Sequence, residues 1–322
     1  MNELIAFLWR RILAGTVTIV GAVFILFLLI QFVPGDIASV LYGPRATPEL
    51  RAALTERMGL DRPVWQQLWL FMSGALSGDF GVDVISGRPI LSVITEVLPN
   101  TLQLAAAALI LSLAAGIPLG VLAAVRPGSW ADRLLGFLSV ILITTPSFVL
   151  AIALLLVFSL ALDWLPVAGA GERGDPVDRI THLILPTLAL ALGWVGYIAR
   201  LVRAALLEIL SEQHIRTLRA YGVSEARILM IFALRPALVP LVAILGIAIG
   251  DLIGSAIFAE IIFNRPGLGT LAFNAVASRN FAVVHATTLL IVLVYVTANI
   301  AVDIMNALID PQVRRSLGDK SA

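Results

Sequence analysis

Apolar residues fall in long unbroken runs along this chain, and the polar positions gather between them. A helix that crosses a bilayer takes about 20 mostly apolar residues. Six stretches reach that length: Ile12 to about Val33, Thr101 to about Val125, Leu134 to Leu162, His182 to Ile198, Ala237 to Ile262, and His285 to Ile309. The third has length to spare and is expected to tilt or kink at Pro146. None shows the strict alternation of a barrel strand, and continuous helices satisfy their own backbone in lipid. The expected fold class is an all-α integral membrane protein with six spans.

Composition sharpens this. Hydrophobic residues are 59% of the 322 and charged residues 13%, against roughly 45–50% and about 25% for soluble domains. A net charge of +1 makes no case for nucleic-acid binding. The absence of cysteine excludes disulfides, thiolate metal sites and thiol nucleophiles. The first apolar run is too long for a cleaved signal, with no small-residue cleavage site before "QFVPGD", so it is expected to stay as an anchor.

Basic residues at the span ends set the orientation. With both termini inside, 13 of the 22 basic residues lie in cytoplasmic segments: Arg10, Arg11, Arg126, Arg133, Arg200, Arg203, Arg216, Arg219, Arg227, Arg235, Arg314, Arg315 and Lys320. The segment 34–97 is then extracytoplasmic and too long for a turn. "TPELRAALTERMG" has a helix start at Thr47 and Pro48 and a stop at Gly59. "PVWQQLWLFMSGAL" predicts a second helix with Trp65, Leu68, Trp69 and Met72 on one face, a stripe read as packing, its tryptophans at the membrane interface.

Ionisable groups inside spans cost about 2.5–3.5 kcal/mol on insertion scales and ask for a reason. Asp251 sits near the middle of span five and Glu260 further on, after Gly246, Gly250 and Gly254, a small residue at every fourth position that admits another helix. Asp251 lines a polar path or serves as a structural partner, and both readings stand; for Glu260 the structural one is preferred, since the outer interface can solvate it. Asp303 and Asp310 are read as structural. Gly116 and Gly120 flank Pro118 in span two, another packing and kink signal.

No G-x-x-x-x-G-K-[ST], H-E-x-x-H or G-x-S-x-G occurs. His182, His214 and His285 are scattered, so no metal site and no catalytic residue are expected.

One polar stretch has chemistry of its own. In "RTLRAYGVSEARILMIFALRPALVP", residues 216–240, Gly222 stands where a helix C-terminus favours a left-handed residue. Ser224 is a good N-cap for a following helix, Glu225 to Leu234, with Glu225 complementing its dipole. A helix, a tight turn and a second helix over 212–235 make a rigid knuckle suited to docking in a groove of another protein; the plainer alternative is a basic loop that serves only orientation.

This stretch resembles the loop before the penultimate span of ABC-importer permeases, in the dipeptide/oligopeptide branch. Arg216, Thr217, Arg219, Ala220 and Gly222 match that branch's pattern, while Leu218, Tyr221, Gln213 and His214 depart from it. "FVPGD", "GLDRP", "GDFG", "LPNTLQL", "RPGSWAD", "TTPSF", "WLPVAG", "HLILPTLAL", "RPGLG" and "ALIDPQVRR" follow in the family's order, so the likeness spans residues 1–322 as one permease domain. It implies a multi-pass subunit of the bacterial inner membrane, paired with a second homologous permease, two cytoplasmic ATPase subunits and an extracytoplasmic substrate-binding protein. ATP and Mg would be used by the ATPases, with no cofactor on this chain. It also implies that 212–235 is the coupling hairpin, with Arg216, Thr217, Arg219, Ala220, Gly222 and Ser224 at the ATPase contact. The expected cargo is a di- or oligopeptide; nickel complex, glutathione or another small ligand are the alternatives within the branch. A channel or secondary transporter is the reading from a different class, disfavoured by the hairpin and by the lack of several charged groups through the spans.

Overall fold

The computed structural model describes residues 2–31, 47–49, 52, 61–172 and 174–309. Among these there is no strand, only one antiparallel bridge between Val82 and Pro89. Ten helices organise them: α1 (Asn2–Gln31), α2 (Val64–Ser77), α3 (Ile90–Val125), α4 (Trp130–Thr144), α5 (Ser147–Leu154), α6 (Pro176–Leu210), α7 (Gln213–Ala220), α8 (Val239–Ile262), α9 (Leu268–Ala277) and α10 (Phe281–Ile309). Between α7 and α8 the chain forms a short helix Glu225–Arg227, a wide π turn Ile228–Ala233 and a turn Leu234–Ala237.

Among the described residues five helices are long and apolar enough to cross a membrane; a sixth span results if α4 and α5 count as one. That pair is bent by 104°. The expected kink at Pro146 is a full break, because proline disfavours a helical Thr145 before it, and Thr145 is extended (φ −83°, ψ 120°). Beyond α5 the helix widens into a π turn over Leu155–Ala161.

α3 and α6 form the closest pair. Gly116 lies against Ile198 and the Val195 carbonyl, and a Cβ on Gly120 would stand 2.6 Å from the Ala199 carbonyl oxygen. Absent side chains there let the two backbones approach. Pro118 stays inside a continuous α3. Leu104 and Ala108 of α3, Leu190 and Ala191 of α6, and Leu252 and Ala256 of α8 make the central core. α1 joins the far side through α10, where Arg11 donates to Asp303 at 2.9 Å and Gly15 admits Val296. Asp303 thus has an ion-pair partner within the chain; Asp310 lies outside the described residues.

α2 corrects its predicted face. Leu68 and Met72 pack on Val23 and Phe27 of α1, but Trp65 and Trp69 point away, 71% and 73% exposed. The apolar stripe therefore splits into a packed half and an outward aromatic half, the amphipathic rings suited to an interface. Of the helix expected from Thr47 to Gly59, only 47–49 and 52 are described. After α2, Asp83 accepts from the Ile85 and Ser86 amides, from the Ser86 hydroxyl, and from the Asn280 amide at 2.5 Å. Burial pushes that carboxyl up, but the donors outweigh it and hold it below the ordinary range.

Candidate functional site

Among the described residues, three places gather exposed polar chemistry, beside a buried knot around Glu260. The first is the hairpin. α7 ends with the Val223 amide donating to the Leu218 carbonyl at 3.1 Å and the Gly222 amide to the Arg219 carbonyl at 3.0 Å. That is a Schellman closure, and Gly222 takes the left-handed conformation it needs, with φ +76°. Across the turn the Arg219 guanidinium donates to Glu225 at 2.7 and 3.2 Å. Glu225 thus works as a partner for Arg219 more than as a helix-dipole complement.

Ser224 has N-cap backbone angles but makes no side-chain cap hydrogen bond. The helix after it is not regular to Leu234 as predicted; it lasts three residues and opens into the π turn. Ile215 and Ile228 are fully buried and hold the knuckle to the bundle. Arg216, Thr217, Ala220 and Gly222 are exposed, and Tyr221 is 82% exposed at the tip.

The second place is a groove at the α4–α5 break. It is a cavity of about 470 Å³ lined by Thr145, Ser147, Trp194, Tyr197, Asp251 and Ser255 among others. The Trp194 indole donates to Asp251 at 2.9 Å, and its ring meets that of Tyr197 edge-on at 5.5 Å. Asp251 is exposed in this single chain, and Ile247, one turn earlier on the same face, is 68% exposed.

The glycines of α8 divide. A Cβ on Gly250 would collide with the Tyr295 ring, and Gly246 lies against Asn299 and Val302, so both serve α10 packing within the chain. Gly254 has nothing within 4 Å and is exposed. Gly254 and Asp251 are left, with Ile247, on an uncovered face.

Glu260 belongs to neither groove nor surface. It is fully buried, which removes the expected solvation by the interface. Its carboxylate accepts from the Thr101 hydroxyl at 2.6 Å and the Gly269 amide at 2.7 Å. The Leu268 amide donates to Thr101 in turn, at 2.8 Å. Gly267 presents no side chain because the carboxylate occupies that space. Arg265, 1% exposed, donates to Gln103 at 3.2 Å, and the Asn100 amide to the Pro266 carbonyl at 2.8 Å. "LPNTLQL" and "RPGLG", remote in sequence, are two halves of one polar knot around Glu260. Its hydrogen bonds all lie within this knot.

The third place lies at the hairpin end, where Arg203 of α6 grips Asp132 of α4 at 2.5 and 2.8 Å. Asp132 also accepts from the Gly128 amide at 2.8 Å, and Ser129 caps α4. Sequence reasoning missed this pair, together with Trp194, Tyr197, Thr145 and Ser147 in the groove. The helical spacing of Trp194 and Tyr197 was the available signal. "TTPSF" and "RPGSWAD" pointed to the correct segments without disclosing a role.

Known proteins match along almost the whole length. Residues 116–315 match the family described as "Binding-protein-dependent transport system inner membrane component", and residues 4–105 match "Binding-prot-dependent transport system membrane comp, N-term". The chain is 37% identical over 306 residues to the "Probable peptide ABC transporter permease protein y4tP" of Sinorhizobium fredii, covering 94% of this chain and 98% of that one. It is 36% identical over 305 residues to the "Glutathione transport system permease protein GsiC" of Escherichia coli K12, covering 95% and 97%. The fold is similar to a solved structure of the MetNI methionine ABC transporter in an inward facing conformation, with TM-score 0.57 at 22% identity, over 68% of this chain and 97% of that one.

Proposed function

The chain belongs to the binding-protein-dependent transport system inner membrane components, and from that premise we propose that it forms one wall of a peptide pathway in an ATP-driven importer. As a member it is a multi-pass inner membrane subunit of an ABC transporter, a transport subunit rather than an enzyme. Membership implies partnership with an ATPase, a substrate-binding protein and a second permease. Our reading gives this chain two ATPases at the face carrying the hairpin, both termini on that cytoplasmic side, and 34–97 outside toward the binding protein.

The observation that carries the reading is the groove at Asp251. Its lining comes from α4, α5, α6 and α8 on one side, and Asp251 and Ile247 stand exposed where another wall is needed. The carboxylate carries the argument, since an ionisable group inside a span marks a polar path. The stapled hairpin supplies the mechanical half: a knuckle held by Gly222 and Arg219–Glu225 transmits displacement without bending. The peptide assignment follows the relative named as a peptide permease.

A second cargo, glutathione, is favoured by the similarity to GsiC. The discriminating experiment reconstitutes the complete importer and measures ATP-dependent uptake of a labelled dipeptide, with glutathione as competitor. Dipeptide uptake that requires ATP, the binding protein and both permeases is the expected result. Uptake of glutathione alone transfers the assignment to the second reading. Transport by this chain without ATPases would sink both.

A further inference from the structure

The groove has a second chamber. A cavity of about 720 Å³ lies toward the hairpin end, lined by Arg133, Arg200 and Arg203. Ile143 and Tyr197 line both, so the two cavities adjoin across these side chains. Charge is arranged with opposite sign at the two ends. Asp251 stands in the first chamber beside the Trp194 and Tyr197 rings, which offer π faces and edges. In the second, Arg203 is occupied by Asp132, whereas Arg133 and Arg200 are exposed.

We propose that this two-chambered groove takes a short zwitterion, the cargo's ammonium at Asp251 and Trp194 and its carboxylate at Arg200 and Arg133. The proposal rests on the peptide reading above and specifies its cargo class. Length agrees with it. Trp194 and Arg200 are six residues apart on α6, about 9 Å of helical rise, and two or three extended residues reach about 7–10 Å. The chemistry agrees as well: a carboxylate with aromatic faces beside it binds an ammonium, and a guanidinium binds a carboxylate. The two ends taken together suit neither a doubly apolar nor a purely anionic cargo.

The absence of cysteine from this chain permits a direct test in the complete importer. Ser255→Cys, or Thr145→Cys if the first fails to assemble, places a thiol in the first chamber. A trimethylammonium methanethiosulfonate is compared with its sulfonate counterpart, and modification is read as the mass of this chain. Relative to the same pair of rates on a small free thiol, the cationic reagent is expected to gain about tenfold, the effect of a unit charge about 6 Å away after screening. Asp251→Asn should erase the bias. A dipeptide should slow the cationic reagent, and its N-acetylated form should not.

A bias that is absent, or that persists in Asp251→Asn, overturns the proposal. So does a thiol inert to both reagents, which would mean that a neighbouring subunit seals this face. Charge bias with protection by a non-peptide ammonium compound alone would overturn the peptide reading and uphold the charge-matched groove.

Discussion

Arg219 and Glu225 clasp each other across Gly222 through two hydrogen bonds of 2.7 and 3.2 Å. The hydrogen bond from Arg219 holds the Glu225 carboxyl below its ordinary value of 4.5. A depressed carboxylate stabilises above its unfolded pKa, and that contribution is lost as pH falls through the folded one. The clasp should therefore be intact at neutral pH and loosen only below about 4.5. Spin labels at Arg216→Cys and Met230→Cys should give a narrow distance distribution at neutral pH that broadens below that value. Glu225→Gln should be broad throughout; an unchanged distribution would mean that the clasp does not fix the hairpin.

Gly222 has φ +76° and open space around it, so the cost of a side chain there is conformational rather than steric. Gly222→Val should cost about 1–2 kcal/mol or more locally, insert normally, and lose most peptide uptake and stimulated ATP hydrolysis. Gly222→Asn should keep much of both, because asparagine visits the left-handed region. Equal behaviour of the two variants would show that the backbone conformation of residue 222 is irrelevant to coupling.

Gly267 and Glu260 share one space. A Cβ at 267 would displace the carboxylate, and Glu260→Ala would strand the Thr101 hydroxyl and the Gly269 amide, at about 1–3 kcal/mol for each unsatisfied group. Either single substitution should lower the thermal midpoint of the purified subunit or assembly. Gly267→Ala combined with Glu260→Ala should cost less than the sum, because the clash is gone. Strict additivity would refute the shared pocket.

The glycines of α8 should separate by phenotype. Gly250→Ala meets the Tyr295 ring and should reduce accumulation of the subunit itself, by overpacking of about 1–3 kcal/mol. Gly254→Leu meets nothing in this chain and should leave accumulation unchanged while weakening co-purification with the second permease. If Gly254→Leu pairs like the parent, the uncovered face of α8 is not the subunit contact.

What was legible in the sequence follows from the reach of each signal. Apolar length located the spans, since lipid imposes it residue by residue. Gly116 and Gly120 announced close packing because a missing side chain at helical spacing has few other uses. Gly222 and its flanking residues announced a turn, as capping is a local matter. Glu260 was harder: its partners Thr101 and Gly269 lie in different elements, and no local pattern tells a buried knot from a solvated interface. The stripe on α2 was legible as a face but not in its division, with Leu68 and Met72 packed and Trp65 and Trp69 turned outward, because periodicity marks an apolar face without distinguishing lipid from protein. Asp132–Arg203 joins residues 71 positions apart, and sequence alone offered only two charges near span ends.

The break between α4 and α5 has a consequence for how such a subunit is made. A span that stops at Thr145 and turns by 104° leaves the last carbonyls of one half-helix and the first amides of the next without helical partners. Lipid cannot satisfy them. Together with Asp251 on the uncovered side of α8, they keep this wall from being a stable lipid-facing surface, so an unpaired copy is marked as incomplete by its own backbone. Surveillance proteases of the membrane would recognise that state and clear the orphan, and expression without the second permease should shorten its lifetime in a pulse-chase experiment. The broken turn itself would thereby help to set the stoichiometry of the finished machine.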